Sequence, residues 1–280
     1  MAKKIGIGVI HGMGTHEADF ADEMIAELNK RLVDDENKNA NDVAFQAIHW
    51  SDVLSGPQQD YLDAIKAGAN VDYVKLRGFM IKALGDASGY QKSSTAGNTY
   101  AKIHEKIRDA IGTLRTTVGD DTAPLMIMAH SLGGHMISNY IYDLQQGAPV
   151  VSPGNNDFEK FHTLAGMVTF GCNIPLFTFS MNPVVAIDFP ATQIAGTALA
   201  NKAKWYNYYD PDDVLGYPLK LIGRPDTGNP PKPNYNDVVD EDRAINVGGF
   251  ISSWNPTSHS KYWTDNDFTK PVASQIANFL

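Results

Sequence analysis

The sequence predicts an α/β protein built on a mostly parallel central sheet with helices on both sides. Two passages carry that reading. Ile5 to Ile10 is a short β-rich run that ends in the glycine turn His11-Gly12-Met13-Gly14, and Phe20 to Val33 then has apolar residues at helical spacing. Leu125 to His130 repeats the plan: an apolar run, a serine, two glycines, and a helical pattern. Strand, tight glycine turn and helix in succession are the start of a parallel α/β unit.

The composition bounds this reading. The 280-residue chain is 43% hydrophobic and 20% charged, which suits a packed core of one large domain or two small ones. A net charge of -9 without a Lys/Arg block argues against nucleic acid and anionic membrane surfaces as partners. One cysteine, Cys172, allows no intrachain disulfide and no zinc site built on cysteine pairs. The N-terminal apolar run is short, interrupted by glycines and lacks a small-residue cleavage site, so a buried first strand is expected rather than a signal peptide. No run is long enough for a transmembrane helix. A cytoplasmic protein without stable membrane insertion is the expectation.

The remaining elements follow in order. In Phe20 to Val33 the spaced residues are Phe20, Met24, Ile25, Leu28 and Leu32. Val43 to Trp50 is a second strand. Residues 51 to 97 mix a turn signal, Ser55-Gly56-Pro57, with helical patterns at Tyr61 to Ala67 and Tyr73 to Leu84; they read as a helical excursion that could border a substrate site. Tyr100 to Leu114 is amphipathic, with Ile103, Ile107, Ile111 and Leu114 on one stripe. Pro124 opens the strand to His130, and Leu132 to Leu144 is the helix beyond. Thr163 to Phe170 and Lys204 to Tyr209 are strands. Residues 173 to 200 lack periodicity, and 223 to 237 form a Pro/Gly/Asn-rich loop. Ala244 to Phe250 is a last strand and Pro271 to Leu280 a closing helix. With no repeat and no linker, 1–280 reads as one domain, with 51–97 and 173–200 as insertions that could form a cap.

Ser131 sits in "LMIMAHSLGGHMI". A nucleophile at a sharp strand-to-helix turn needs small residues two before and two after it, because strand and helix approach closely there. Ala129 and Gly133 meet that need, and the N–H of Leu132 at the helix N-terminus would face an oxyanion formed at the serine. Such a donor contributes ~3 kcal/mol to a transition state. The plainer alternative is a serine that caps the helix. The strand before it and the amphipathic helix after it favour the nucleophile.

The chain resembles the α/β-hydrolase family, and within it the lipase- and esterase-like members that carry "AHSLGG"; the motifs span Ile5 to Trp263. The resemblance implies hydrolysis of an ester or related acyl bond. It makes "GVIHGMG" the oxyanion loop, with Met13 as second backbone donor beside Leu132. Its order of serine, acid, histidine makes His259, in "HSKYW", the base. The acid falls in "DPDDV": the family pattern, anchored on Val214, selects Asp212, with Asp213 and then Asp210 as alternatives.

The other readings are weaker. "GIGVIHGMG" lacks the G-x-G-x-x-G spacing of a dinucleotide site, and no calcium loop is present. His11 is expected to fix its loop by hydrogen bonds, and His16 to lie at the same mouth. His49, His104, His130, His135 and His162 are expected to be structural. No metal or cofactor is needed. The expected function is that of a serine hydrolase acting on a small ester or lipid-like molecule. Thioesterase, amidase and peptidase activities use the same groups, and a non-catalytic binding protein on this fold is the rival from another class.

Overall fold

The computed structural model describes residues 2–69, 71–92, 97–247 and 258–280. Among these, six strands form one sheet: β1 (Ile5–Ile10), β2 (Val43–Ile48), β3 (Leu125–His130), β4 (Leu164–Phe170), β5 (Lys204–Tyr209) and β6 (Glu241–Ala244). Their spatial order is β2-β1-β3-β4-β5-β6 and every pairing is parallel. The principal helices are α1 (Asp22–Asp34), α2 (Asp52–Gly68), α3 (Val74–Gly89), α4 (Thr99–Val118), α5 (Leu132–Gln145) and α6 (Asn266–Ala277). This parallel sheet flanked by helices fits the expected α/β class and is consistent with an α/β-hydrolase fold.

β1, β3 and β4 are buried at every position. Parallel strands covered on both faces are expected to be apolar throughout, and these are. Helix α4 lays Ile103, Ile107, Ile111 and Leu114 against β1 and β2. Asn98 starts it by accepting the Ala101 N–H at 2.8 Å, and Gly119 ends it in the left-handed region, φ 74°. Helix α1 buries Met24, Leu28 and Leu32 and packs against α6.

The chain leaves β1 toward β2, then reverses and builds outward from β3. The reversal lies between β1 and β3, where the crossover connections diverge and open a crevice at the strands' C-terminal ends. The turn after β1 and Ser131 after β3 both lie at that point.

Several boundaries differ from expectation. The described residues of 51–97 include the helices α2 and α3, but Ser55-Gly56-Pro57 lies inside α2 rather than in a turn. Pro57, the sixth residue of α2, has no N–H to give the Val53 carbonyl, and the remaining helical bonds carry the element past it. Helix α6 begins at Asn266 and contains Pro271 instead of starting there; Asp265 accepts the Asp267 N–H at 2.8 Å to cap it. The last strand is Glu241–Ala244, not Ala244 to Phe250, whose residues 248–250 lie outside the described residues. Its charged sequence is stabilised from the side: the Arg243 guanidinium lies 3.5 Å from the Tyr206 ring centroid. Among the described residues no helix is long and apolar enough to cross a membrane.

Candidate active site

Ser131 stands between β3 and α5 with φ 53° and ψ -126°. A non-glycine residue there carries strain on the order of 1–3 kcal/mol, which the surrounding structure must hold in place. Its side chain caps no α5 N–H, so the helix-cap alternative fails. The turn is as tight as the small residues implied. A Cβ on Gly133 would stand 2.5 Å from the His11 carbonyl oxygen, and one on Gly12 would stand 2.5 Å from Ser131 Cβ.

His259 reaches this serine from 128 residues away. Ser131 Oγ and His259 Nε2 are 2.7 Å apart, and His259 Nδ1 is 2.8 Å from Asp213 Oδ2. A carboxylate only accepts, so Nδ1–H donates to Asp213 and Nε2 accepts the serine O–H. Ser131 is 0% exposed, Asp213 4% and His259 9%. In such a dry setting hydrogen bonds are electrostatically stronger than in water.

The carboxylate at the imidazole is therefore Asp213 and not Asp212. The Asp212 N–H donates to Asp210 Oδ1 at 2.8 Å, a local turn that leaves the Asp212 side chain exposed and turns the next residue inward. Val214, the supposed anchor, is 67% exposed. Asp210 is buried, and its other oxygen accepts the Val247 N–H at 2.7 Å, which ties down the chain beyond β6. Asp213 also accepts the Leu215 N–H at 3.0 Å and the Tyr262 hydroxyl at 2.9 Å.

Tyr262 has no side-chain role in the sequence reading, although it lies three residues past His259. It is fully buried. Its hydroxyl donates to Asp213 and accepts the Asp210 N–H at 2.8 Å, bridging two members of the acidic turn. Burial and the neighbouring Asp213 charge push its phenol pKa far above the usual value.

The loop after β1 is held group by group. His11 Nδ1–H donates to the Gly12 carbonyl at 2.9 Å, while its Nε2 accepts the Trp50 N–H at 3.1 Å. That tautomer is neutral, and burial holds the His11 pKa well below the ordinary value. His16 Nε2–H donates to the Met13 carbonyl at 3.2 Å. The Gly14 N–H donates at 2.8 Å to Asp86 Oδ2, a buried carboxylate on α3 whose other oxygen accepts from Gln58 of α2. The α2–α3 excursion thus braces this loop, a role for Asp86 that no sequence signal announced. Among the described residues, the N–H groups of Met13 and Leu132 have no protein acceptor.

The remaining histidines are supports. His130 Nε2–H donates to the His259 carbonyl at 2.8 Å. His49 Nε2–H donates to the His16 carbonyl at 2.7 Å. His104 meets the Tyr90 hydroxyl at 2.8 Å, and burial lowers its pKa to about 4. His162 pairs with Asp157 on the surface. Among the described residues no group of three or more His, Cys, Asp or Glu side chains could hold a metal ion.

No family model and no curated protein matches the chain. One solved structure, from the pair of metagenome-derived lipolytic enzymes LipS and LipT, aligns over 88% of this chain and 84% of its own, at 13% identity and a TM-score of 0.37. A likeness that distant carries no argument about activity.

Proposed function

We propose that the protein is a serine hydrolase that cleaves a carboxylic ester through an acyl-enzyme. The observation that carries this reading is the unbroken run of hydrogen bonds Ser131–His259–Asp213, with the serine held in a strained turn at a helix N-terminus. In the first step Ser131 Oγ bonds to the acyl carbon as His259 Nε2 takes the hydroxyl proton. The ester C–O bond breaks, and the imidazolium returns that proton to the departing alcohol. Water, deprotonated by the same nitrogen, then attacks the acyl-serine and releases the acid. Asp213 keeps the ring in the tautomer that can accept. The N–H groups of Met13 and Leu132 are the donors for the oxyanion.

The test is labelling with a fluorophosphonate followed by peptide mapping. An adduct on Ser131, abolished in Ser131→Ala, supports the reading; intact protein that forms no adduct overturns it. On a short nitrophenyl ester, Ser131→Ala and His259→Ala should each lower kcat by ~10⁴ to 10⁶.

A further inference from the structure

His130 has no step in the proposed chemistry, yet it grips the main chain of the base. It ends β3 next to Ser131, and it is buried. Its ring packs among Phe170, Trp263, Tyr262 and His259, with centroids 5.1, 5.3, 6.0 and 4.8 Å away. A carbonyl oxygen only accepts, so the 2.8 Å contact with the His259 carbonyl places the ring hydrogen on His130 Nε2. Nδ1 is then a lone pair, and among the described residues it has no partner. Burial, and after it the nearby His259 charge, hold the His130 pKa well below the ordinary value, so the ring stays neutral.

Packing alone does not account for this ring. Among aromatic neighbours a phenylalanine would fill the same space without burying an unpaired nitrogen, which is costly in an apolar interior. What histidine adds is one N–H, and that N–H is spent on the His259 carbonyl.

The bond closes a circuit. Ser131 Oγ meets His259 Nε2 at 2.7 Å, the His259 carbonyl meets His130 Nε2 at 2.8 Å, and one peptide bond joins His130 to Ser131. The base is thus tied to the nucleophile's segment by its ring and again by its main chain. The second tie matters because His259 sits in a single 3₁₀ turn, Ser258–Ser260, whose own hydrogen bonds are few and poorly aligned. Asp213 holds the imidazole and Tyr262 holds Asp213, but those bonds act on side chains. Gly171 leaves room for the arrangement: a Cβ there would stand 3.3 Å from His130 Nε2 and 3.3 Å from Asp213 Oδ2.

We propose that His130 is a positioning residue for the reaction: its N–H holds the His259 main chain so that the imidazole stays at proton-transfer distance from Ser131. This rests on the assignment of Ser131 as nucleophile and His259 as base. A reacting group displaced by about 1 Å costs on the order of 10²-fold in rate. His130 meets the base rather than the substrate, so the loss falls on kcat and not on KM.

The test compares His130→Phe, which keeps the ring's shape and lacks the N–H, with His130→Gln, whose amide can place an N–H where Nε2 stood. On a short nitrophenyl ester His130→Phe should lower kcat by about 10- to 100-fold with KM within about twofold, and fluorophosphonate labelling of Ser131 should slow in parallel. His130→Gln should recover kcat to within about fivefold of the parent. The proton NMR signal of His259 Nδ1–H should shift or broaden in His130→Phe and return toward the parent position in His130→Gln. His130→Leu gives the same readouts if His130→Phe does not fold. A folded Phe or Leu variant with kcat within about twofold of the parent, or Phe and Gln variants that lose rate equally, overturns the proposal. Labelling of the unmodified protein is read separately: no adduct removes the nucleophile and this role with it, whereas an adduct with unchanged kinetics in His130→Phe removes the role of His130 alone.

Discussion

Tyr262 places its hydroxyl 2.9 Å from Asp213 Oδ2, the same oxygen that His259 engages at 2.8 Å. One carboxylate oxygen thus takes two donors from a single short stretch of chain, so the orientation of the acid and the position of the histidine are set together. Tyr262→Phe removes one donor and leaves Asp213 freer to rotate. We expect kcat to fall by about tenfold with KM little changed, consistent with one lost hydrogen bond to a charged group. A change in KM alone would show that the hydroxyl acts elsewhere.

The adjacent aspartates separate more widely. Asp213→Asn should lower kcat by about 10⁴-fold, because an amide no longer holds the imidazole in its accepting tautomer. Asp212→Asn, at an exposed position, should stay within about twofold of the parent. Steady-state rates on one ester measure both, and equal losses would contradict the geometry.

Asp86 acts at a distance. Its carboxylate anchors the Gly14 N–H, one residue past Met13, and so braces the loop that carries the Met13 N–H. Asp86→Ala should reduce kcat by roughly tenfold to a hundredfold, the range of a weakened oxyanion donor, while the rate of Ser131 labelling by a small phosphonate falls in parallel. Retained kcat would mean that the loop holds its shape without α3.

Gly133→Ala tests the closeness of the turn. The added methyl would meet the His11 carbonyl oxygen at 2.5 Å, a backbone atom that cannot rotate away as a flexible side chain could. Destabilisation of about 2–4 kcal/mol is expected from overpacking and lost turn geometry. Denaturant unfolding would measure it; a shift under about 0.5 kcal/mol would show that strand and helix can separate.

Stability should fall as the solution is acidified from neutrality. Burial lowers the pKa of His11, His104, His130 and His135 below 6.5. Between the depressed folded value and 6.5 the unfolded chain binds more protons, so the contribution is whole above 6.5 and is lost as pH falls toward the folded value. Each such histidine gives a slope of up to about 1.4 kcal/mol per pH unit in that window. Unfolding midpoints from pH 8 to 5 measure this; a flat profile from 7 to 5 would contradict it.

The parallel core was legible because its strands are continuous apolar runs, and Ser131 because a tight turn demands small neighbours. His259 was named only through the order of groups that the family resemblance implies, and it is the histidine whose ring meets Ser131. The family pattern anchored on Val214 pointed one residue short of the carboxylate that meets His259, because Val214 is exposed and the Asp210 side chain catches the Asp212 N–H, leaving Asp213 buried. Tyr262 and Asp86 act through contacts across the fold, to which local periodicity is blind. Gly56-Pro57 misled for a related reason: the local residues read as a turn, while α2 continues through them to Gly68.

β6 escaped the hydropathy pattern because it reads Glu-Asp-Arg-Ala. As the outermost strand on its side of the described sheet, it presents a short, ionic border with Arg243 drawn back over Tyr206. A neighbouring molecule seeking to extend the ladder would have to strip water from those charges for only four residues of pairing. The trait that hid the strand from view also disfavours edge-to-edge pairing along this side of the described sheet.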